Sequence, residues 1–211
     1  MDFKSFGKFR EPLEDFFDSN EIQLLFKEYL EIEDHWANFF KKINSINLLI
    51  IGEAPLSSCK YIYHPKSKDV GSPFLFKKHL IESLKIFQGS KHNSETKTKI
   101  ELMTELGILV IEAYPYTLDP LKHQFNFQKG LSKKDKIELF RRTKSWHFLK
   151  KMELIKPKID NHTIYAFRYK GNMDNLQALL DIKHDISNLG GKGGNLNKEE
   201  FFKIFQKLNH A

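Results

Sequence analysis

A single cysteine, Cys59, stands in 211 residues. No disulfide can form within the chain, and neither a zinc site built from several thiolates nor a four-cysteine iron–sulfur cluster is possible. No stretch reaches the roughly 18 apolar residues of a membrane span. The N-terminus, MDFKSFGKFREPLEDFF, is charged throughout and lacks an apolar signal core. No internal repeat and no low-complexity linker interrupts the chain. These absences lead us to expect a soluble, cytoplasmic protein with no membrane partner.

Phenylalanine is abundant, 19 residues against 2 Trp. So many Phe side chains can build a core or line a site that stacks flat ligands. Hydrophobic residues make up 40% of the chain. That is enough for one well-filled core, in a chain too short for two large domains. The formal net charge is +7. A basic balance fits an anionic partner, most often nucleic acid, and fits a lysine-rich solvated surface equally well.

From Pro12 to Ile43 the pattern predicts helix, with a break near Ser19–Asn20. Leu25, Tyr29, Ile32, Trp36, Phe39 and Ile43 recur at spacings of three and four and make one apolar stripe. Ile46 to Ile51 is a continuous apolar run of strand length, as suits a strand covered on both faces of a parallel sheet. Phe74 to Phe87 reads as helix stopped by Gly89, and Ile100 to Leu106 as helix with Gly107 as a left-handed cap. Ile108 to Ala113 is a second buried strand. Ser132 with Asp135 marks a helix start, with helix continuing in pieces to about Ile155. His162–Tyr169 is a third strand, Asn172 to Leu180 a helix, and Ile186 to Leu189 a short fourth strand. Asn197 caps a last helix whose Phe201, Phe202, Phe205 and Leu208 face inward. The alternation predicts an α/β fold, three layers around a mostly parallel four-stranded sheet. Residues 1–45 read as an N-terminal helical elaboration on an α/β unit of residues 46–211, the whole forming one compact body. Ligand sites in such folds lie beyond the carboxyl ends of the strands, where Gly52-Glu53-Ala54-Pro55 falls.

Gly52-Glu53-Ala54-Pro55 is followed, after a loop, by Gly71-Ser72-Pro73-Phe74. A third segment, Gly107 to Ala113, is an apolar run ending in Glu112-Ala113. The order and separation of these pieces resemble the uracil-DNA glycosylase superfamily, and most of all its branch with a Gly-Glu-Ala-Pro-Gly turn and a later Gly-x-Pro-Phe. The likeness spans Ile46 to Leu208 in outline and two segments in sequence. It implies an enzyme that flips a damaged or deaminated base out of single- or double-stranded DNA and hydrolyses its N-glycosidic bond, acting as a monomer and needing no metal and no cofactor.

On that resemblance Glu53 stabilises the sugar cation and orients water. Phe74 stacks on the flipped base. Gly52 and Gly71 are small enough for the backbone to approach a ligand, and Ala54 and Pro55 hold the turn that binds the base. Glu112 stands where the superfamily has a base-recognising Asn. An ionised Glu only accepts hydrogen bonds, so either the base is not uracil, or Glu112 is protonated, or recognition is lost. The superfamily's His-Pro-Ser motif is replaced by Gly190-Gly191-Lys192-Gly193-Gly194-Asn195. There Lys192 or Asn195 stands in as a donor to the base, and the amides of Gly191 and Gly193 cradle a phosphate. Lys77 and Lys78, beside the predicted helix start, and the pairs Lys133-Lys134, Arg141-Arg142 and Lys150-Lys151 are candidates for phosphate contacts. His64 and Tyr63 are candidates to line the mouth of the site. The altered Asn and the missing His leave two other readings open. One is a catalytically inactive member of the fold that binds nucleic acid or a base, and the other a nucleoside- or nucleotide-processing enzyme.

Overall fold

The computed structural model describes residues 6–55, 61–65, 75–89, 96–117, 132–168, 186–191 and 195–209. Helix α1, Phe6–Arg10, runs into a 3-10 turn at Glu11–Leu13, and α2 occupies Ser19–Phe40. The predicted break near Ser19–Asn20 falls at the start of α2, and the predicted helix before it, from Pro12, is only the 3-10 turn. Pro12 has no N–H to continue a helical ladder, and the chain restarts at Asp18, whose Oδ1 accepts from the amides of Asn20 and Glu21 at 2.8 and 2.9 Å. The predicted stripe is buried from Leu25 to Phe39, with Ile43 buried just beyond the helix.

Strand β1 is Leu48–Gly52 and β2 is Ile108–Glu112. Every residue of both is buried, so both faces of the sheet are covered here, as their unbroken apolar runs require. Strand β3 is Ile164–Phe167 and β4 is Ile186–Asn188. All described pairings are parallel, in the order β2-β1-β3-β4. The outer edge of β2 is closed by side chains. The Tyr63 hydroxyl donates to the Val110 carbonyl and accepts from the Val110 amide, and the Trp36 indole N–H donates to the same carbonyl at 3.3 Å. Pairing the edge in this way removes a template for foreign strands.

Helices α3 (Lys77–Gln88), α4 (Lys99–Glu105) and α7 (Lys198–Asn209) pack together as one group. Helices α5 (Lys133–Lys144) and α6 (Phe148–Ile155) pack with each other, α5 against the N-terminal turn and α6 against β2. Ser132 and Asp135 form a reciprocal capping box at the start of α5. Gly89 and Gly107 take positive φ, 84° and 64°, as their roles at helix ends demand. At α7, Asn197 Oδ1 accepts from the Glu200 amide at 3.3 Å, with Phe201, Ile204 and Phe205 buried. Helix α3 begins at Lys77, three residues after the predicted start. The predicted helix Asn172–Leu180 lies outside the described residues. A single hydrophobic cluster runs from Phe9 and Leu13 through the strands to Phe205, so the N-terminal helices share the core of the α/β unit.

Candidate functional site

The order β2-β1-β3-β4 sends the chain leaving β1 to one side and the chain leaving β3 to the other. In open α/β sheets ligands bind at such a switch point, beyond the carboxyl ends of the strands concerned. Glu53 stands there, one residue past β1. Its backbone is fixed to the neighbouring strand end by the Tyr114 amide, which donates to the Glu53 carbonyl at 2.9 Å. Its side chain is 16% exposed and forms an ion pair with Lys136 Nζ at 3.3 Å. Lys136 comes from the first turns of α5, which the Tyr114 hydroxyl anchors by donating to the Lys136 carbonyl at 2.8 Å. Ala54 and Pro55 are buried behind the turn.

Gly52 and Glu112 face each other across β1 and β2, and the Arg168 amide continues the row on β3 by donating to the Ile51 carbonyl. The Glu112 carboxyl folds over Gly52. A Cβ added to Gly52 would lie 1.8 Å from Glu112 Oε2. The space above Gly52 is thus taken by Glu112, which corrects its expected use as a gap for a ligand. Glu112 is only 4% exposed, and its Oε2 has no hydrogen-bond partner. Burial pushes this carboxyl up from its ordinary range, against the pull of Arg168 and Lys151 and with a further push from Glu53.

A second buried acid lies nearby. Glu33 on α2 pairs with Lys151 on α6 at 2.5 Å, with both side chains buried, and Lys151 also lies 4.8 Å from the centre of the Trp36 ring. Lys151 is therefore removed from the expected phosphate contacts. His147 Nε2 lies 3.1 Å from the Glu112 carbonyl. A carbonyl only accepts, so Nε2 carries the proton and the buried Nδ1 is left without a partner. Burial and the nearby Lys151 charge push His147 well below its usual range, which keeps the ring neutral.

The glycine-rich loop leaves the carboxyl end of β4, at the same end of the sheet. The Gly191 amide donates to the Asn195 carbonyl at 2.8 Å, Gly190 bridges Leu196, and Asn195 is exposed. Lys77 and Lys78 stand in the first turn of α3, Lys78 5.9 Å from the centre of the Phe76 ring. Phe74, Gly71, Lys192 and Gly193 lie outside the described residues. Tyr63 is buried as the edge clamp of β2 and borders a surface pocket with His35, Phe39 and Pro65 that includes neither Glu53 nor Glu112. His64 packs against His35, ring centres 4.7 Å apart. On α5, Lys133, Lys134, Arg141 and Arg142 line a surface groove, with Arg142 held by Asp15 at 2.7 Å and by Glu138 at 3.2 Å.

Sequence reasoning missed Glu33, Lys136, His147 and Arg168. For Glu33 a signal existed: it falls between Tyr29 and Trp36 at spacings of four and three, inside the apolar stripe of α2. Among the described residues, no group of three or more His, Cys, Asp or Glu is arranged to hold a metal ion. No helix of the described residues is long and apolar enough to cross a membrane. Comparison with family models, with curated proteins and with solved structures gives no match.

Proposed function

We propose that this chain is a DNA N-glycosylase that hydrolyses the bond between deoxyribose and a flipped, damaged or deaminated base. The observation that carries the reading is the position of Glu53: a carboxylate fixed one residue past the carboxyl end of β1, where the strand order reverses, beside a second acid at the end of β2. The resemblance of the Gly52–Pro55 and Gly71–Phe74 segments to the uracil-DNA glycosylase superfamily supplies the chemistry. The C1′–N bond breaks with its electron pair leaving on the base. The cation-like sugar is stabilised by the Glu53 carboxylate, which also orients water. Water adds its hydroxyl to C1′, and its proton balances the base anion. The products are an abasic site and a free base. Lys136 holds the Glu53 carboxylate in place. Lys133 and Lys134, on the preceding turn of α5, put positive charge near Glu53 for the DNA backbone.

The test is incubation with oligonucleotides carrying uracil, hypoxanthine or xanthine, single- and double-stranded, followed by hot alkali. Strand breaks that disappear in Glu53→Ala establish the activity. Salt-sensitive binding with no breaks for any base leaves the second reading, a binding module. That reading is favoured by one feature of the sequence: no histidine lies in Gly190–Asn195 to donate to the departing base.

A further inference from the structure

His35 and His64 come from different elements, and the fold gives them one meeting place. Trp36 on α2 and Tyr63 both donate to the Val110 carbonyl at the edge of β2. His35 precedes Trp36, and His64 follows Tyr63. Convergence of the two aromatic side chains on one carbonyl carries the two histidines together, and their ring centres lie 4.7 Å apart with the rings at 74°. Both backbones are held. The buried stripe from Leu25 to Phe39 fixes α2. The His64 amide donates to the Tyr61 carbonyl at 3.0 Å, and the Tyr63 ring stacks on Phe39.

The surroundings of the pair suit a cation. Both rings are partly exposed. Glu31 lies one helical turn before His35 and Asp34 beside it, and both carboxylates act on the His35 ring. His35 also borders the surface pocket, about 270 Å³, that it shares with Tyr63, Asn38 and Glu101, which leaves room for several water molecules at the ring. Burial, and then the neighbouring His64, push His35 below its ordinary range against the pull of the carboxylates. The ring is thereby kept neutral, with a lone pair on one nitrogen. Two imidazoles on one ion have ring centres about 4.5–5 Å apart when metal–nitrogen bonds of about 2.0–2.1 Å meet near a right angle. The observed spacing falls within that range.

We propose that His35 and His64 form a binding site for a divalent first-row transition metal ion, with the two imidazoles as its protein ligands and water in the remaining positions. Imidazole suits zinc, copper and nickel, whereas calcium and magnesium take oxygen ligands. Among the described residues no group of three His, Cys, Asp or Glu is arranged to close a site, so the ion stays open to solvent and exchangeable. Glu31 and Asp34 offset its charge through the water shell. Bound there, the ion ties α2 to the segment that carries Tyr63 and braces the two side chains that close the edge of β2.

The experiment strips the full chain with a chelator and titrates it by calorimetry with zinc, nickel and copper salts in turn. We expect one tight site per chain and a Tm that rises with metal concentration. His35→Ala and His64→Ala should each weaken binding at least tenfold. The double variant should lose little more than either alone, because the two rings act as one unit. His162→Ala, at an exposed histidine before β3, should leave the affinity unchanged. Urea unfolding of the metal-free variants checks that they fold. One arm needs no variant: pulsed electron paramagnetic resonance of the wild-type chain carrying one copper(II) ion should show two imidazoles. No binding of any of the three metals overturns the site. So does binding that survives the double substitution, or a copper spectrum with one imidazole or none.

Discussion

Replacing Gly52 with alanine tests whether Glu112 occupies the space above β1. The new Cβ would stand 1.8 Å from Glu112 Oε2, 2.6 Å from Cδ and 3.0 Å from Oε1. Real Cβ atoms essentially never approach heavy atoms closer than 3.0 Å, so the carboxyl must retreat by more than 1 Å. The backbone at Gly52 is ordinary strand, so the substitution adds no φ strain. Its cost is overpacking in a buried site, typically about 1–3 kcal/mol. For a chain of this size that corresponds to a fall in Tm of roughly 2 to 12 °C. Urea unfolding should show a lower midpoint with an unchanged slope. Adding Glu112→Ala removes the obstructing atoms, so the double variant should recover at least about 1 kcal/mol relative to additivity. If Gly52 instead served to let a ligand approach, the single variant would keep wild-type stability and lose binding. Strict additivity between the two substitutions would refute the packing argument.

Four further outcomes follow from the same geometry. Lys151→Met should cost about 3–5 kcal/mol by stranding Glu33, whereas Lys151→Met combined with Glu33→Leu should return close to wild-type stability in urea unfolding. His147 is held below its ordinary value, so below about pH 6.5 the unfolded chain takes up a proton that the folded chain refuses. Stability should therefore fall as pH drops through that value, and His147→Gln should flatten this limb in unfolding midpoints measured from pH 5 to 8. Tyr63→Phe leaves the buried Val110 amide without its acceptor and should cost about 1–3 kcal/mol, read from the same urea curves, with the Val110 carbonyl still served by Trp36. Replacing both Lys133 and Lys134 with alanine should weaken oligonucleotide binding for every sequence and reduce the slope of log K against log salt by about 2, measured by fluorescence anisotropy.

The strands and several helix ends were legible because each rests on a local signal. Ile50–Ile51 and Val110–Ile111 lie in unbroken apolar runs, and such runs are stable only where both faces are covered. Ser132 and Asp135 announce a capping box three residues apart, and Gly107 announces a left-handed turn. The start of α2 was legible as the break near Ser19–Asn20, where the Asp18 cap begins the helix, whereas the segment from Pro12 was read as helix and forms only a 3-10 turn. The partners of the site were not legible at all. Glu53 meets Lys136 across 83 residues of sequence, and Glu33 meets Lys151 across 118. No spacing rule reaches that far.

The site turns on how three carboxyls divide the neighbouring cations. Glu33 has Lys151 at 2.5 Å in full burial, and Glu53 has Lys136 at 3.3 Å at the edge of solvent. Among the described residues, Glu112 has only the pull of Arg168 and of a Lys151 already engaged. Burial pushes both Glu33 and Glu112 up from the ordinary carboxylate range, and Glu53 adds to the push on Glu112. The two acids at adjacent strand ends thus stand in different environments, Glu53 ion-paired at the edge of solvent and Glu112 buried over Gly52. The register that puts Gly52 opposite Glu112 makes this possible, because any larger residue at position 52 would displace the acid from the row toward Arg168. An acid at the end of β2 and a glycine at the end of β1 are therefore one device.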